Sequence, residues 1–160
     1  MAKSNGLRPA RWLALATPLA LLGGAYIGEY AFGLFPCEMC WWQRYAHFAA
    51  LAPALLAFAM PRSRVPIALA ALAIAVSAVI GAYHAGVEYQ WWEGLTACTS
   101  TVTASGGNPL DAIMNAPLVR CDVAQWTLFG VSLAGWNFLF SAAAALAIAL
   151  LLRRGGKAAR

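Results

Sequence analysis

The sequence predicts an all-α fold: an integral membrane four-helix bundle with two loops on one side of the bilayer, the second carrying a short surface helix. Three observations point to it. Of 160 residues, 62% are apolar and only 11% are charged, against roughly 45–50% and 25% in a soluble domain. A water-soluble chain of this length could not hide so much apolar surface. The apolar residues also gather into four long runs, and runs of about 18 or more read as membrane spans. Finally, most Lys and Arg residues fall on one side of those runs. An Ala-rich soluble bundle would need charged helix faces, which these runs lack.

The runs cover about 12–32, 42–60, 65–83 and 132–152. At 1.5 Å per residue each reaches roughly 30 Å, the thickness of the hydrocarbon core. Helix is required, because an isolated strand cannot satisfy its backbone in lipid. Pro18 and Pro53 lie inside the first and second runs, where packed neighbours tolerate a bend. Lys3, Arg8 and Arg11 precede the first run, as in a cleavable signal peptide. Its apolar stretch exceeds the roughly 7–15 residues of a signal core, and three more runs follow, so it reads as a retained helix.

Orientation follows from charge. Lys3, Arg8 and Arg11 precede the first run, Arg62 and Arg64 separate the second from the third, and Arg153, Arg154, Lys157 and Arg160 follow the fourth. The positive-inside rule makes that side the cytoplasm. The expectation is a multi-pass protein of the bacterial cell inner membrane, one domain over 1–160, with both termini cytoplasmic. A tight cytoplasmic turn at 61–64 makes the second and third runs antiparallel neighbours, and Pro66 suits the first turn of the third. Only Arg44 and Arg120 lie elsewhere, and the acidic residues Glu29, Glu38, Glu88, Glu93, Asp111 and Asp122 fall at or near the outer side. The net charge of +5 is therefore a topology signal. Split among three short segments, it offers no nucleic-acid surface.

Two periplasmic loops remain, about 33–41 and 84–131. In the longer one, Leu110, Ile113 and Met114 share one face of a short helix and Asp111 and Asn115 take the other. This predicts a helix lying on the membrane surface. The alternative is an ordinary turn behind Gly106-Gly107.

All four cysteines, Cys37, Cys40, Cys98 and Cys121, fall in these loops and none in a span. The compartment beyond a bacterial inner membrane is oxidising, so disulfides persist there. Four cysteines allow three connectivities; the natural pairing is Cys37 with Cys40 and Cys98 with Cys121. Cys37-Glu38-Met39-Cys40 is a C-x-x-C. A c-type haem needs His next, and Trp41 stands there. A structural zinc site wants a second close pair, whereas Cys98 and Cys121 lie far apart in sequence, so no metal is expected. A redox pair and a static staple stay open.

The surroundings of Cys40 favour redox chemistry. Cys40 lies near a helix N-terminus, whose partial positive charge favours a thiolate. Arg44 follows at i+4, one turn deeper on the same face. An arginine at the membrane edge is costly without a purpose, which is either snorkelling to headgroups or stabilising an anionic sulfur or a reduced ligand. His84, at the outer end of the third run, could approach Arg44. His47, at i+7 from Cys40, reads as a packing residue. With no nucleotide fingerprint, metal cluster or paired intramembrane histidines, a lipid-soluble oxidant is the remaining electron acceptor.

Pro36-Cys37-Glu38-Met39-Cys40-Trp41-Trp42-Gln43-Arg44, together with Tyr83-His84-Ala85-Gly86-Val87-Glu88, Thr96-Ala97-Cys98-Thr99 and Cys121-Asp122-Val123-Ala124-Gln125-Trp126-Thr127-Leu128-Phe129-Gly130, resembles the DsbB family over roughly residues 12–152. That resemblance implies a protein-dithiol:quinone oxidoreductase that re-oxidises a periplasmic thioredoxin-fold partner of the DsbA type and passes the electrons to ubiquinone or menaquinone. By position, Cys98 would be attacked by the partner's thiolate, with Cys121 as its resolving mate. Cys37 would exchange with Cys121, and Cys40 would face the quinone with Arg44 stabilising it. His84 matches a position linked to the quinone site. Two other readings compete. One is a scaffold with stapled loops. The other is a four-helix reductase of the vitamin K epoxide reductase type, which carries its C-x-x-C late in the chain rather than after the first span.

Overall fold

The computed structural model describes residues 7–95, 99–100 and 118–157. Four long helices dominate: α1 (Arg8–Phe32), α2 (Glu38–Ala59), α3 (Val65–Glu88) and α4 (Leu133–Lys157). Helices α1 and α3 each place a proline in the first turn, where a missing N–H costs nothing. Pro18 and Pro53 are accommodated inside α1 and α2. Gly33 ends α1 at φ 68°, a left-handed position that glycine adopts without strain.

Helices α1, α3 and α4 are long and apolar enough to cross a membrane. Helix α2 has 22 residues and is not among these three; its first half carries Glu38, Gln43, Arg44 and His47. The chain is thus a membrane protein by its helices, and α2 lies packed between α1 and α3. The bundle is apolar on its outside as well as its inside: Ile27, Leu72, Val79 and Leu146 are all more than half exposed. Water would penalise that surface by about 25 cal/mol per Å², and lipid does not.

The core is built from small residues. Ala10, Ala14, Ala50, Ala54, Ala57, Ala70 and Ala144 surround Ile67, Ile74 and Ile148, so backbones approach closely, as membrane helices require. Arg11 of α1 donates a hydrogen bond to the Pro61 carbonyl, tying the helix start to the turn between α2 and α3. Gly81 marks the closest approach of α3 and α4. A Cβ there would lie 2.9 Å from Asn137 Nδ2 and 3.1 Å from both the Ala134 carbonyl and the Phe138 amide. Gly81→Ala is expected to cost roughly 1–3 kcal/mol through overpacking, read as a lower Tm in detergent. An unchanged Tm would show that the contact yields.

Each helix runs past the hydropathy reading at one end: α1 starts at Arg8 and α4 reaches Lys157, and the ends on the cysteine side do the same. Helix α2 starts at Glu38 and α3 runs on to Glu88, so residues 38–41 and 84–88 are helical rather than loop. Hydropathy marks where a run stops being apolar, whereas a helix continues while its backbone bonds are satisfied. His84 therefore lies inside α3 and does not cap it.

The long loop also contains short strands. β1 (Thr99–Ser100) pairs antiparallel with β2 (Leu118–Val119), and β3 (Thr127–Leu128) with β4 (Val131–Ser132). The second pair is a hairpin closed by Phe129 and Gly130 at φ 52° and 76°, the positive-φ pair that matches strand twist. The Tyr89 hydroxyl donates to the Gly130 carbonyl at 3.0 Å and accepts from the Ser132 amide at 2.9 Å, fixing the hairpin to the end of α3. The expected surface helix around Leu110, Ile113 and Met114 and residue Cys98 lie outside the described residues.

Candidate functional site

The short loop delivers Cys37 to the start of α2. Its sulfur caps the helix, accepting from the Cys40 amide at 3.3 Å. Cys40 is the third helical residue, and its Sγ lies 2.9 Å from Cys37 Sγ. Both sulfurs thus sit in the positive field of the α2 N-terminus.

The long loop folds back onto this corner. Gln125 donates to the Phe35 carbonyl at 2.6 Å, and Gln90 donates to the Asp122 carbonyl at 2.9 Å. These clamps seat Cys121 against the inner pair. Cys37, Cys121, Met39, Val87 and Val119 form one buried cluster with Cys40 and Tyr83 against it. The donor atoms of Cys37, His84 and Cys121 all lie within 4.8 Å of one another. The hydrogen bond with Cys121, then that with Cys40, then burial push the Cys37 thiol above the ordinary thiol range. Beside Cys121, the exposed pair Arg120–Asp122 is bidentate, at 2.8 and 2.5 Å, and the guanidinium holds the Asp122 carboxyl below its usual range.

Arg44 lies one turn below Cys40, as its spacing predicts, and is buried. Its charge is matched by Glu29 of α1, with Nη1 2.5 Å from Oε2. Nη2 donates to the Ala25 carbonyl at 3.3 Å, and the guanidinium lies over the rings of Tyr26 and Trp41. Hydropathy gave no hint of Glu29 as a partner, because the contact joins separate helices.

His84 is fully enclosed, 2% exposed. Its Nδ1 accepts from Gln43 Nε2 at 2.9 Å, which leaves the proton on Nε2, 3.5 Å from Cys37 Sγ. A chain of side chains fixes this tautomer. Gln43 Oε1 accepts from Asn137 Nδ2 at 2.7 Å, and Asn137 Oδ1 accepts from His47 Nε2 at 2.9 Å. Ser77 Oγ lies 2.9 Å from His47 Nε2 and donates to the Gln43 carbonyl at 3.2 Å. The network fixes the proton on His84 Nε2, which faces the Cys37 sulfur, the Cys121 backbone and, at 3.7 Å, the Glu88 carboxylate. The sequence reading gave no role to Gln43, Asn137 or Ser77, and it set His47 aside. The available signal was Asn137, an amide within an apolar run, where a polar group is costly.

A cavity of about 290 Å³ opens beside the cysteines. Its polar lining includes Cys37, Cys40, Arg44, His84 and Glu88, with Gln43, His47 and Asn137 behind them and Arg120 and Gln125 of the long loop, and apolar residues of α1 and α4 such as Leu21 and Phe140 supply much of the remaining wall. The structure thus gathers five of the expected residues, Cys37, Cys40, Arg44, His84 and Cys121, at one end of the bundle. Three sulfurs close enough to exchange, next to a cavity walled by membrane helices, are suited to moving electrons between thiols and an apolar acceptor.

The family model for disulfide bond formation protein DsbB matches residues 7–151. The chain belongs to the DsbB family. It is 31% identical to disulfide bond formation protein B of Acidovorax sp. (strain JS42), covering 94% of this chain and 91% of that protein. It is 32% identical to disulfide bond formation protein B of Verminephrobacter eiseniae (strain EF01-2), covering 92% and 86%. The corresponding protein of Marinobacter nauticus (strain ATCC 700491 / DSM 11845 / VT8) is 29% identical, covering 91% and 94%. No solved structure matches this chain. Membership of the DsbB family makes this a disulfide-forming membrane protein, with an oxidoreductase role that implies a thiol–disulfide partner.

Proposed function

We propose that this protein re-oxidises a periplasmic thioredoxin-fold dithiol protein of the DsbA type and passes the electrons to a membrane quinone, ubiquinone or menaquinone, through two cysteine pairs. The observation that carries this reading is the convergence of Cys37, Cys40 and Cys121 beside the cavity. The protein then sits in the inner membrane with four spans, α2 included, and both termini cytoplasmic, because Arg8, Arg11, Arg62, Arg64, Arg153 and Arg154 fall at the helix ends away from the cysteines.

The relay balances step by step. A partner thiolate attacks Cys98 of a Cys98–Cys121 disulfide, and Cys121 leaves as thiolate. The partner's second thiolate then resolves the mixed disulfide, so the partner is oxidised and Cys98 is released. Cys121 attacks Cys37 of a Cys37–Cys40 disulfide, and Cys40 leaves as thiolate. Cys98 attacks Cys121, re-forming the outer pair and releasing Cys37. Two electrons now rest on Cys37 and Cys40. The His84 Nε2–H faces the Cys37 sulfur and can stabilise its charge, and the α2 N-terminus and Arg44 favour the Cys40 thiolate.

The cavity fits a quinone. It offers apolar walls for a ring and tail and a thiol and a cation on one helix face, and His47, whose buried Nδ1 has no partner among the described residues, is part of its lining. When bound, a quinone supplies a two-electron, two-proton sink. Cys40, Arg44 and His84 would hold and orient it.

The direct assay reconstitutes the protein in lipid with a reduced thioredoxin-fold protein and a short-chain quinone. Oxidation of the partner in proportion to added quinone is expected. Partner oxidation that ignores quinone would remove the acceptor from this reading, and disulfides inert to the partner would favour a stapled scaffold.

A further inference from the structure

His47 was set aside on sequence grounds, yet it is 2% exposed, lies midway along α2 and lines the cavity. Its Nε2 is spoken for. It lies 2.9 Å from Asn137 Oδ1, a carbonyl oxygen that only accepts, and 2.9 Å from Ser77 Oγ. Ser77 directs its own proton to the Gln43 carbonyl, so Nε2 carries the hydrogen of the neutral ring. Nδ1 is therefore a bare lone pair, buried and without a partner among the described residues. Burying such an acceptor costs roughly 1–3 kcal/mol unless something donates to it. His47 sits one turn below Arg44 on the same helix, about 4.5 Å further along the axis.

We propose that His47 is a ligand-binding residue whose Nδ1 accepts a hydrogen bond from a ring hydroxyl, and so selects the reduced, hydroquinone form of the acceptor over the oxidised form. This rests on the quinone reading above. The chemistry distinguishes the two forms. A quinone oxygen is only an acceptor and finds no donor at a bare Nδ1, whereas a hydroquinone hydroxyl donates to it. A site that holds the product form more tightly pulls the acceptor toward reduction by the ratio of the two affinities. Because Nε2 is anchored through Asn137 and Gln43 to His84, the ring cannot turn to offer Nε2 instead without breaking the chain that orients His84.

Two variants separate ligand binding from packing. His47→Gln can keep a donor near the Nε2 position for Asn137 but has nothing at the Nδ1 position. His47→Asn loses the anchor but keeps an acceptor near the Nδ1 position. Binding of a short-chain benzoquinone and of its hydroquinone is measured by tryptophan fluorescence quenching in lipid nanodiscs, on the fully oxidised protein, whose cysteines hold no electrons to pass to the probe. His47→Gln is expected to weaken hydroquinone binding roughly 5–10-fold, the loss of one hydrogen bond, and to leave quinone binding within about twofold. His47→Asn is expected to recover part of the hydroquinone affinity despite a lower Tm. A purely structural His47 predicts the reverse order, with His47→Gln binding both probes like the parent, and that result overturns the assignment. Weakening of the quinone alone would also overturn it. Failure of the unsubstituted protein to bind either probe would instead overturn the quinone reading itself, and this inference with it.

Discussion

Cys40→Ser is expected to abolish quinone-dependent turnover, by a factor on the order of 1,000 or more, because it removes a reacting atom and not a contact. The loss should be selective. The outer pair can still accept one round of electrons, so reduced partner should be oxidised to about one equivalent per protein and then stop. Serine cannot replace the sulfur: its hydroxyl forms no disulfide and is not deprotonated at neutral pH. Folding should be spared, because the cap on α2 comes from Cys37 Sγ accepting the backbone amide of residue 40, which serine retains. Steady-state turnover at the parent rate in Cys40→Ser would remove the C-x-x-C from the path.

Arg44→Ala carries the second large effect, a rise in apparent quinone KM of roughly 10–100-fold, the range for losing one charge-assisted hydrogen bond. Alanine alone confounds this reading, because it strands the Glu29 carboxylate in a mostly buried position and an uncompensated buried charge destabilises strongly. The double variant Glu29→Gln/Arg44→Met removes both charges and approximately keeps the volume. It should recover stability relative to Arg44→Ala while leaving quinone KM high. If the double variant regains parent KM, the arginine serves only its ion pair. Arg44→Lys tests geometry: it keeps the charge but loses the planar fork that bridges Glu29 and the Ala25 carbonyl.

Much of the fold was legible because lipid imposes a simple rule. Long apolar runs must be helices, and the residues that interrupt them stand out. The 61–64 turn and the placement of all cysteines outside the apolar runs follow from that rule, and Pro66 marks the start of α3. The end of α3 did not. His84-Ala85-Gly86-Val87-Glu88 is too polar to extend a hydropathy run, yet it stays helical because the loop packs over it: Val87 is buried under the cysteine cluster, and Trp92 donates to the Tyr83 carbonyl at 2.9 Å.

The placement of the cysteines and Arg44 was legible in the sequence, and the wiring behind them was not. The spacing of Cys37, Cys40 and Arg44 on one helix is local, so i+4 logic places them correctly. The network behind them is not local. Asn137 is 94 residues from Gln43 and 90 from His47, and no single-sequence pattern measures such separations. A lone histidine on an apolar helix is uninformative until its two nitrogens can be accounted for separately. The corner where the two loops meet is of the same kind, since Gln125 and Gln90 dock the second loop through backbone carbonyls that any residue could present.

The central claim is that electrons cross from the outer pair to the inner pair through contact of Cys37 with Cys121. The double variant Cys40→Ser/Cys98→Ser leaves only those two cysteines. Mass-spectrometric disulfide mapping of this variant in its membrane, after mild oxidation, should recover a Cys37–Cys121 cross-link as the dominant species. Two free, alkylatable thiols under conditions that fully oxidise the parent protein would contradict the relay at its joining step.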